Sequence, residues 1–231
     1  MTSKVTSKVK EEKTREKVKV IVVDDHPIVR QGLAQIINQE EDMMLAGEAG
    51  DAAEAMKVIK QVKPDMAIID VSLTGTSGIE LTKNILVHYP KMPILIVSMY
   101  DESLYVERVL KAGAKGYLMK QEATDNIVAA IRKVLGGDIY VSDKMRDTLV
   151  HKLIAGGSSS SGSSSENLSD RELEVLQLLG QGFSTRQTAE ELHVSVKTVE
   201  SHYANMKNKL NLKSAHELIQ YAIKWTLAEK G

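Results

Sequence analysis

The stretch Val20-Ile-Val-Val-Asp-Asp-His-Pro27 decides the fold, because it joins a strand pattern, two carboxylates and a helix start. An uninterrupted run of β-branched residues is typical of a strand that is buried on both faces, as in a parallel sheet. Proline favours the first turn of a helix, so Pro27 predicts a helix directly after the strand. His26 is expected to cap this helix or to face solvent rather than to bind a metal. The stretch therefore predicts a strand-to-helix unit with Asp24 and Asp25 at its junction.

The same unit recurs through the first half of the chain. Short apolar runs predict strands at 18–23, 43–46, 66–69, 94–97 and 116–119. Amphipathic stretches predict helices at 27–39, 51–62, 78–88, 101–112 and 123–135, and a further helix at 142–154. Five alternating units predict an α/β fold with a doubly wound, five-stranded parallel sheet, for which we expect the flavodoxin-like strand order 2-1-3-4-5.

Composition divides the chain into two domains that are joined by a linker. Residues 155–165 include seven serines and three glycines, a composition that cannot bury apolar surface. The predicted organisation is a flexible arm at 1–17, a first domain at 18–137, a connecting helix at 138–154, a linker at 155–166 and a second domain at 167–231. The arm is rich in lysine and glutamate and lacks strand or helix periodicity.

Composition also excludes several classes of protein. The 231 residues include no cysteine, which excludes disulfides, iron–sulfur clusters, thiolate zinc sites and thiol nucleophiles. The sequence has no transmembrane segment, and its polar N-terminus does not resemble a secretory signal. The net charge is −1, so attraction to nucleic acid requires a local basic patch. We therefore expect a cytoplasmic protein with no membrane partner.

Polar side chains stand where several predicted strands end. Asp24 and Asp25 follow the first strand, Asp70 follows the third, and Ser98 and Lys120 end the fourth and the fifth. Ligands of open parallel sheets bind beyond the carboxyl ends of the strands, so these side chains are expected to converge on one pocket. A single aspartate after a strand is usually only a helix cap, but several independent polar residues at strand ends argue against that explanation.

The predicted pocket favours phosphate chemistry. Three crowded carboxylates require a compensating cation, and a set of oxygen ligands suits Mg²⁺, which also accepts phosphate oxygens. A serine hydroxyl and a lysine ammonium are suited to hold the oxygens of a phosphoryl group. The expected reaction is the attack of a carboxylate oxygen on phosphorus, which gives an acyl phosphate on aspartate.

After the linker the strand pattern disappears, and a small all-α domain of four helices is predicted. Ser169-Asp-Arg-Glu172 and Ser184-Thr-Arg-Gln187 each match a capping box at a helix N-terminus. Helices are expected at 170–180, 185–192, 196–210 and 214–228. The middle pair, joined by His193-Val194, has the form of a helix-turn-helix, whose second helix enters the major groove of DNA.

The helix predicted at 196–210 has one apolar face and one small, polar face. The apolar face consists of Val199, His202, Met206 and Leu210, and the opposite face consists of Lys197, Ser201, Ala204 and Asn208. Residues 166–231 carry eight basic and nine acidic side chains, so charge alone does not identify DNA binding. A solvated helical face explains the same pattern equally well.

Four motifs of the first domain resemble the receiver domain of bacterial two-component response regulators. They are the stretch Val20–Pro27, Ile68-Ile-Asp70, Ser98-Met-Tyr100 and Ala112-Gly-Ala-Lys-Gly-Tyr-Leu-Met-Lys120. The resemblance implies that a sensor histidine kinase phosphorylates one aspartate of the pocket and that Mg²⁺ is required.

The resemblance also assigns a role to individual residues. Asp70 is implied to be the phosphoacceptor. The implied Mg²⁺ ligands are Asp25, Asp70 and the backbone carbonyl of Ser72, with Asp24 acting through water. Ser98 and Lys120 are implied to hold the phosphoryl group, and Tyr117 is implied to change rotamer when Ser98 moves. The family usually has proline where this chain has Thr74, which leaves the stiffness of the loop 71–77 open.

The second domain is similar to the LuxR-type helix-turn-helix. The motifs are Leu168-Ser-Asp-Arg-Glu-Leu-Glu-Val-Leu176, Val194-Ser-Val-Lys-Thr-Val-Glu-Ser-His202 and Lys209-Leu-Asn-Leu212. The resemblance implies that 196–210 is the recognition helix, with base contacts from Glu200, Ser201 and Ala204. Phosphate contacts are implied for Lys197, Thr198, Lys207 and Lys209. The helix at 214–228 is implied to form the contact of a homodimer.

Together the two halves resemble the NarL/FixJ class of response regulators, which implies a transcription factor controlled by phosphorylation rather than an enzyme. Its expected partners are the histidine kinase, double-stranded DNA and a second copy of the chain, and its expected control is dimerisation or release of the recognition helix. One alternative is a Mg²⁺-dependent phosphatase, against which Ser72 argues, because that chemistry needs a second acidic residue there. The other is a phosphate-independent DNA-binding or scaffold protein with a degenerate receiver.

Overall fold

The computed structural model describes residues 16–154 and 167–228. Nearly all of the predicted arm, and the whole of the predicted linker, lie outside the described residues. Within them, a five-stranded sheet with flanking helices is followed by a helical domain. Each helix in these two ranges is too short or too polar to cross a lipid bilayer.

The five strands are parallel and follow the predicted order 2-1-3-4-5, which confirms the fold class. They are β1 (Val18–Val23), β2 (Met43–Ala49), β3 (Met66–Ile69), β4 (Ile94–Ser98) and β5 (Gly116–Met119). Every residue of β3 and β4 is buried, as continuous apolar runs predict for inner strands. The edge strand β2 extends beyond its apolar run, because its pairing with β1 continues to Ala49.

Ten α-helices lie within the described residues. The first six are α1 (Pro27–Gln39), α2 (Ala52–Val62), α3 (Gly78–His88), α4 (Glu102–Lys111), α5 (Ala123–Leu135) and α6 (Asp143–Ile154). The last four are α7 (Asp170–Gly180), α8 (Thr185–Glu191), α9 (Val196–Lys209) and α10 (Ala215–Ala228). A short 3-10 turn at Lys120–Glu122 joins β5 to α5, and the sequence pattern does not predict it.

Alternate residues of β1 face opposite sides of the sheet and so produce two helical layers. Val20 and Val22 pack with α1 and α5, whereas Ile21 and Val23 pack with α2, α3 and α4. The buried apolar residues of the helical domain join the second of these clusters. The helical domain therefore packs on the same side of the sheet as α3 and α4.

The turn after β3 fixes the backbone that carries Asp70. Gly78 begins α3, and a Cβ atom there would lie 1.7 Å from the carbonyl oxygen of Asp70. The Gly78 N–H donates to the carbonyl of Val71 at 2.6 Å, and the Ser77 side chain caps α3. Because only glycine permits this approach, the start of α3 stays close to the end of β3.

Both predicted capping boxes are present in the helical domain. Ser169 and Glu172 exchange side-chain-to-backbone hydrogen bonds at the start of α7, and Ser184 and Gln187 do so at the start of α8. These bonds satisfy N–H groups that have no partner inside the helix. The two helices therefore begin where the sequence predicts.

Helix α10 packs closely against the end of α7. A Cβ atom at Gly180 would lie 2.1 Å from the hydroxyl of Thr226 and 2.5 Å from the carbonyl oxygen of Ala222. Trp225, the single tryptophan of the chain, lies on α10 and is 9% exposed. The α7–α10 contact therefore depends on the absence of a side chain at Gly180.

Candidate functional site

Lys120 joins two of the predicted carboxylates at the carboxyl edge of the sheet. Its Nζ lies 2.6 Å from Oδ2 of Asp70 and 2.7 Å from Oδ2 of Asp24. All three side chains are buried, with at most 8% of each exposed. The parallel strands β1, β3 and β5 end at the same edge, which is why residues far apart in the sequence meet here.

The charges in this cluster shift one another's ionisation. Burial raises the pKa of Asp70 to about 7, with Lys120 opposing the rise and Asp24 adding to it. Burial also opposes the charge on Lys120, but Asp70 and Asp24 outweigh it, so the pKa of Lys120 is raised. Lys120 therefore keeps its positive charge between the two carboxylates.

Asp25 extends the cluster and leaves one oxygen available. Its Oδ1 is buried and accepts no hydrogen bond from the described residues, although Nδ1 of His26 lies 2.8 Å away. One ligand atom from each of Asp24, Asp25, His26 and Asp70 lies within 4.8 Å of the others. Three carboxylates with an oxygen to spare fit a hard divalent cation such as Mg²⁺.

His26 stands at the N-terminus of α1, where the sequence places it. Its side chain is 57% exposed and makes no capping hydrogen bond, so the residue occupies the cap position through its backbone alone. Its backbone N–H donates to Oδ1 of Asp24 at 2.8 Å. This bond orients the carboxylate of Asp24 toward Lys120.

Thr74 supports the acidic pocket, which the sequence does not predict. Its hydroxyl donates to Oδ2 of Asp25 at 3.2 Å, and its backbone forms a bridge with Asp51. Ser72 and Ser77 form a second bridge within the same loop. The loop 71–77 is therefore held by these contacts without the proline that the family usually has. In the sequence, the contact of Thr74 with Asp25 is indicated only by the departure from that proline.

Ser98 and Tyr117 are linked through the backbone of Tyr100. The Ser98 hydroxyl is buried and accepts a hydrogen bond from the Tyr100 N–H at 3.2 Å. The hydroxyl of Tyr117 donates to the Tyr100 carbonyl at 2.7 Å, and burial raises the pKa of Tyr117 above its usual range. The ring of Tyr100 in turn stacks on Tyr105 of α4, with 5.0 Å between the ring centroids.

A cavity of about 290 Å³ opens beside these residues and is shared by both domains. Its polar lining includes Asp25, Asp70, Ser72, Ser98, Lys120 and, from the end of α8, Glu191. Nε2 of His193, in the turn of the helix-turn-helix, lies 3.9 Å from Oδ2 of Asp25. The sequence gives no sign that the helix-turn-helix reaches the pocket.

One polar face of α7 contacts the first domain. It consists of Asp170, Glu174 and Gln177, which share a face by their spacing of four and three residues. The contacts join Asp170 to Arg108 at 3.2 Å and to Lys83 at 3.1 Å, Glu174 to the Ser72 hydroxyl at 3.4 Å, and Gln177 to the Tyr105 hydroxyl at 3.3 Å. Four residues of the first domain thus recognise three residues of α7.

Glu174 is the most deeply buried member of this face. Its side chain is fully buried, Oε2 pairs with Arg171 at 2.6 Å, and Oε1 has no hydrogen-bond partner among the described residues. Burial raises the pKa of Glu174 to about 7, with Arg171 opposing the rise. The carboxylate is therefore held in the interface with only part of its hydrogen bonding satisfied.

Helix α9 exposes the side that the sequence assigns to DNA. Lys197, Glu200, Ser201, Ala204 and Lys209 are exposed, and Thr198 and Lys207 are half-buried. Val199, Met206 and Leu210 are buried on the other side, and His202 is half-buried there. The first domain therefore leaves this side of α9 open to solvent.

Two side chains of that exposed set have partners within the chain. Nζ of Lys209 lies 2.6 Å from Oε2 of Glu172, and the Ser201 hydroxyl donates to the Lys197 carbonyl at 2.9 Å. Burial alone would raise the pKa of Glu172, but the hydrogen bonds from Lys209 and Ser169 lower it. Lys209 thus ties α9 to α7, and any phosphate contact that it makes competes with this ion pair.

Family models match both halves of the chain. Residues 20–132 match the response regulator receiver domain, and residues 166–222 match the bacterial regulatory proteins of the luxR family. Among curated proteins, the chain is 39% identical to the oxygen regulatory protein NreC of Staphylococcus carnosus over 216 residues, which cover 92% of this chain and all of that protein. NreC of Staphylococcus aureus strain MRSA252 is 38% identical over the same shares.

Solved structures of RcsB from Salmonella are similar over almost the whole chain. One structure of RcsB is 27% identical, covers 90% of this chain and 98% of that chain, and has a TM-score of 0.62. Another, bound to the rprA promoter in the presence of the phosphomimetic BeF3⁻, is 27% identical over the same shares with a TM-score of 0.58. The chain thus has a receiver domain and a LuxR-type DNA-binding domain, and it matches NreC and RcsB over nearly their whole length. It belongs to the two-component response regulators of the NarL/FixJ class, which regulate transcription.

Proposed function

We propose that the chain accepts a phosphoryl group on Asp70 from a sensor histidine kinase and controls its DNA binding in response. The observation that supports this best is the Lys120 bridge between Asp24 and Asp70, beside an open cavity. A buried ammonium that is already held by two carboxylates is in place to form charge-assisted hydrogen bonds with phosphoryl oxygens.

In the proposed reaction, an oxygen of the Asp70 carboxylate attacks the phosphorus atom of a phosphohistidine. The new O–P bond forms as the P–N bond breaks, and the electron pair of that bond returns to the imidazole nitrogen, which takes up a proton from water. Lys120 holds Oδ2 of Asp70, so Oδ1 is the oxygen that attacks. The pKa of Asp70, raised to about 7 by burial, leaves a substantial ionised fraction near neutral pH.

Asp25, Asp70 and the backbone carbonyl of Ser72 are the proposed direct ligands of Mg²⁺, with Asp24 acting through water. Oδ1 of Asp25 is buried and accepts no hydrogen bond from the described residues, which supports this assignment, although Nδ1 of His26 lies 2.8 Å from it. When bound, Mg²⁺ supplies positive charge that offsets the carboxylates and the phosphoryl oxygens. Thr74 holds the other oxygen of Asp25 and so orients Oδ1.

Ser98 and Tyr117 are the proposed switch. If the Ser98 hydroxyl turns toward a phosphoryl oxygen, it leaves the N–H of Tyr100, whose carbonyl holds the Tyr117 hydroxyl. A shift of the Tyr100 backbone then releases Tyr117 from its buried position. Tyr100 also stacks on Tyr105, so the same shift reaches α4 and the contact with α7.

The proposed DNA contacts lie on the exposed side of α9. Glu200, Ser201 and Ala204 are placed to face base edges, and phosphate contacts are proposed for Lys197, Thr198, Lys207 and Lys209. Phosphate contacts supply affinity that falls as the salt concentration rises. Double-stranded DNA is therefore the proposed nucleic-acid partner.

The proposed homodimer contact is the outer side of α10. Ile219, Ile223 and Leu227 follow one another at intervals of four residues and are 41%, 41% and 67% exposed. An apolar stripe of this kind favours contact with a second copy of the chain. A regulator that meets a kinase and DNA in this way is proposed to work in the cytoplasm.

The mass of the intact protein after incubation with Mg²⁺ and acetyl phosphate tests this function. We expect a single phosphoryl adduct on the wild-type chain and none on Asp70→Asn, together with tighter DNA binding by the wild-type chain only. Absence of the adduct contradicts the proposal. An adduct without any change in DNA affinity favours a phosphate-independent DNA-binding protein, and turnover of a chromogenic phosphate ester favours a phosphatase.

A further inference from the structure

The contact of α7 with the first domain includes three polar side chains beside the apolar cluster that the two domains share, and this polar part suits a contact that opens and closes. Asp170, Glu174 and Gln177 can each regain hydrogen bonds from water when the domains separate. An interface held by apolar side chains alone would expose them to water on opening, at a cost that grows with area. The composition of this face therefore favours reversible docking.

Glu174 makes the docked state sensitive to charge. It is a fully buried carboxylate whose Oε1 has no hydrogen-bond partner among the described residues. A buried ionised group is strongly affected by further charges, because little water is present to screen them. One additional negative charge nearby therefore acts on Glu174 far more than on an exposed side chain.

The nearest place for such a charge is the phosphoacceptor pocket. Glu174 contacts the hydroxyl of Ser72, two residues after Asp70 in the same loop, and Ser72 lines the cavity together with Asp70. A phosphoryl group on Asp70 adds charge at this point.

We propose that Glu174 is the residue of the DNA-binding domain that couples the charge of the Asp70 pocket to domain docking. An anion added at Asp70 repels the buried carboxylate, and the chain shifts to an undocked state in which Glu174 reaches water. The inference rests on the proposed function and names the residue through which the second domain responds. By linkage, docking weakens the binding of an anion at Asp70 by the same factor by which the anion weakens docking.

Among the described residues of the DNA-binding domain, Glu191 is the acidic residue that lines the cavity itself, whereas Glu174 reaches the cavity only through Ser72. Glu191 is exposed, whereas Glu174 is fully buried. Water around an exposed charge raises the effective dielectric constant, so its interaction with an anion at Asp70 is weaker than that of a buried charge at the same distance. Glu191 therefore carries little of the coupling, and it provides a control with the same change of charge.

The chain lacks cysteine, so two introduced cysteines report the distance between the domains by fluorescence energy transfer. Lys60 on α2 and Lys224 on α10 are exposed and suited to labelling in every variant. Beryllofluoride serves as the anionic probe in place of a phosphoryl group, and Mg²⁺ is present at the same concentration in every measurement, so that the anion is the only change of charge. Arg108→Glu opposes Asp170 and supplies an undocked reference, with Lys115→Glu as its matched exposed control.

The wild-type chain should lose energy transfer when beryllofluoride binds, and Arg108→Glu should show low transfer without it. We expect Arg108→Glu to bind beryllofluoride at least about fivefold more tightly than the wild-type chain. Glu174→Gln keeps the size of the side chain and removes its charge. When Arg108→Glu is added to Glu174→Gln, the beryllofluoride affinities of the double and the single variant should differ by a factor of only about one. Glu174→Asp should restore the response, and Glu191→Gln should leave it intact.

Equal coupling in the wild-type and Glu174→Gln backgrounds overturns the inference, as does loss of coupling in Glu191→Gln. If circular dichroism shows that Glu174→Gln does not fold, the loss of energy transfer on beryllofluoride binding is compared in Glu174→Asp and Glu191→Gln instead. Loss of this response in Glu191→Gln, or its absence in a folded Glu174→Asp chain, overturns the inference. A wild-type chain that binds no beryllofluoride and gains no phosphoryl mass overturns the proposed function itself. That result differs from a chain that binds the probe and undocks without any need for Glu174.

Discussion

At the scale of single residues, Lys120 decides whether the acidic pocket is stable. It is the cation that the described structure places between Asp24 and Asp70, and all three side chains are buried. Removing one partner from a buried ion pair costs more than the pair contributes, because the remaining charge keeps its desolvation penalty. The pocket therefore tolerates the loss of a carboxylate better than the loss of the lysine.

Lys120→Met tests this expectation. The change removes the charge and keeps the length of the side chain, so we expect the free energy of unfolding to fall by about 3–5 kcal/mol. The pKa of Asp70 should rise further, because Lys120 is what lowers it, and the phosphoryl adduct should disappear. Urea unfolding followed by circular dichroism measures the first effect and intact mass the second.

A double variant supplies the control. Adding Asp70→Asn to Lys120→Met removes one carboxylate together with its cation, so part of the lost stability should return. If Asp70→Asn instead adds its own loss to that of Lys120→Met, the two side chains do not act as a pair. The Lys120 bridge between Asp24 and Asp70 would then not contribute to the free energy of unfolding.

Residue types at strand ends were predictable, but their supporting contacts were not. Asp24, Asp70 and Lys120 meet because strand ends converge, which the alternation of strands and helices already implies. The hydroxyl of Thr74 reaches Asp25 only because the loop 71–77 bends back, and no local pattern encodes that bend. Sequence periodicity describes elements, whereas such loop contacts depend on tertiary geometry.

At the scale of helices and strands, close approach of backbones limits what a position can hold. Gly180 ends α7 against α10, and the nearest atoms include the carbonyl oxygen of Ala222, which cannot rotate away. Alanine has the higher helix propensity, by about 1 kcal/mol. Crowding in a packed core opposes that gain, at about 1–3 kcal/mol.

Because a Cβ at Gly180 would lie 2.5 Å from a backbone oxygen, the crowding cost should fall in the upper part of this range, at about 2–3 kcal/mol, and Gly180→Ala should lower the free energy of unfolding of the helical domain by about 1–2 kcal/mol net. The fluorescence of Trp225, which lies on α10 and is the single tryptophan, follows this domain in urea. Gly32→Ala in α1 is the control, since a Cβ there would have no described atom within 4 Å apart from the adjoining backbone of its own helix, and circular dichroism should show unchanged or greater stability. A Gly180→Ala chain as stable as the wild type would show that α10 moves away freely.

The ion pair between Glu172, at the start of α7, and Lys209 stabilises the helical domain to an extent that depends on pH. Hydrogen bonds from Lys209 and Ser169 outweigh burial and lower the pKa of Glu172 from its ordinary value of 4.5. A carboxyl whose pKa is lower in the folded state stabilises the fold above its unfolded pKa, and this stabilisation is lost as the pH falls through the folded pKa. Glu172 therefore stabilises the helical domain at neutral pH but not in acid.

Glu172→Gln keeps an acceptor for Ser169 and removes the charge opposite Lys209. Hydrogen bonds to charged groups contribute about 1.5–3 kcal/mol, so a loss of about 1–2 kcal/mol is expected at about pH 7. The difference from the wild-type chain should shrink as the pH falls below about 4.5 and disappear once the pH is below the lowered pKa of Glu172 in the folded chain. Trp225 fluorescence in urea measures it, with the exposed Glu200→Gln as control, and a difference that stays constant with pH would refute the ion pair.

Element bounds were the most predictable part of the molecule. The capping boxes at Ser169 and Ser184, and the proline at Pro27, place helix starts at or within one residue of the structure. The exception is β2, where pairing with β1 extends a strand past its apolar run. Local chemistry sets where an element starts, but the partner strand determines how far it continues.

At the scale of the whole molecule, domain docking was not predictable. The residues that hold the two domains together, such as Asp170 and Arg108, lie 62 positions apart in the sequence. Their charged side chains are of the type expected to be exposed to solvent. The linker composition indicates a tether without a fixed geometry, whereas the described domains share polar contacts and one apolar cluster. Control by covering the recognition helix was also expected, but the side of α9 that is proposed to face DNA is exposed in the docked chain.

Docking should nevertheless weaken DNA binding, for an electrostatic reason. His193, two residues before the cap of α9, lies 3.9 Å from the Asp25 carboxylate, so the acidic pocket adjoins the end of α9 that is proposed to enter the groove. Negative charge at that position repels DNA phosphates. Arg108→Glu releases the domain without altering it, so we expect several-fold tighter binding to a random-sequence duplex, measured by fluorescence anisotropy.

The sign of this effect makes the prediction demanding. Arg108→Glu makes the chain more negative, which by itself lowers affinity for DNA, and Lys115→Glu makes the same change of charge away from the contact. Docking is identified as the cause if Arg108→Glu alone binds DNA more tightly and if this gain in affinity shrinks as salt is added. Salt screens the charge of the pocket, with a Debye length of about 10 Å at 0.1 M. Equal weakening by both variants would mean that the docked pocket does not oppose DNA, and phosphorylation would then have to act through dimerisation on α10 instead.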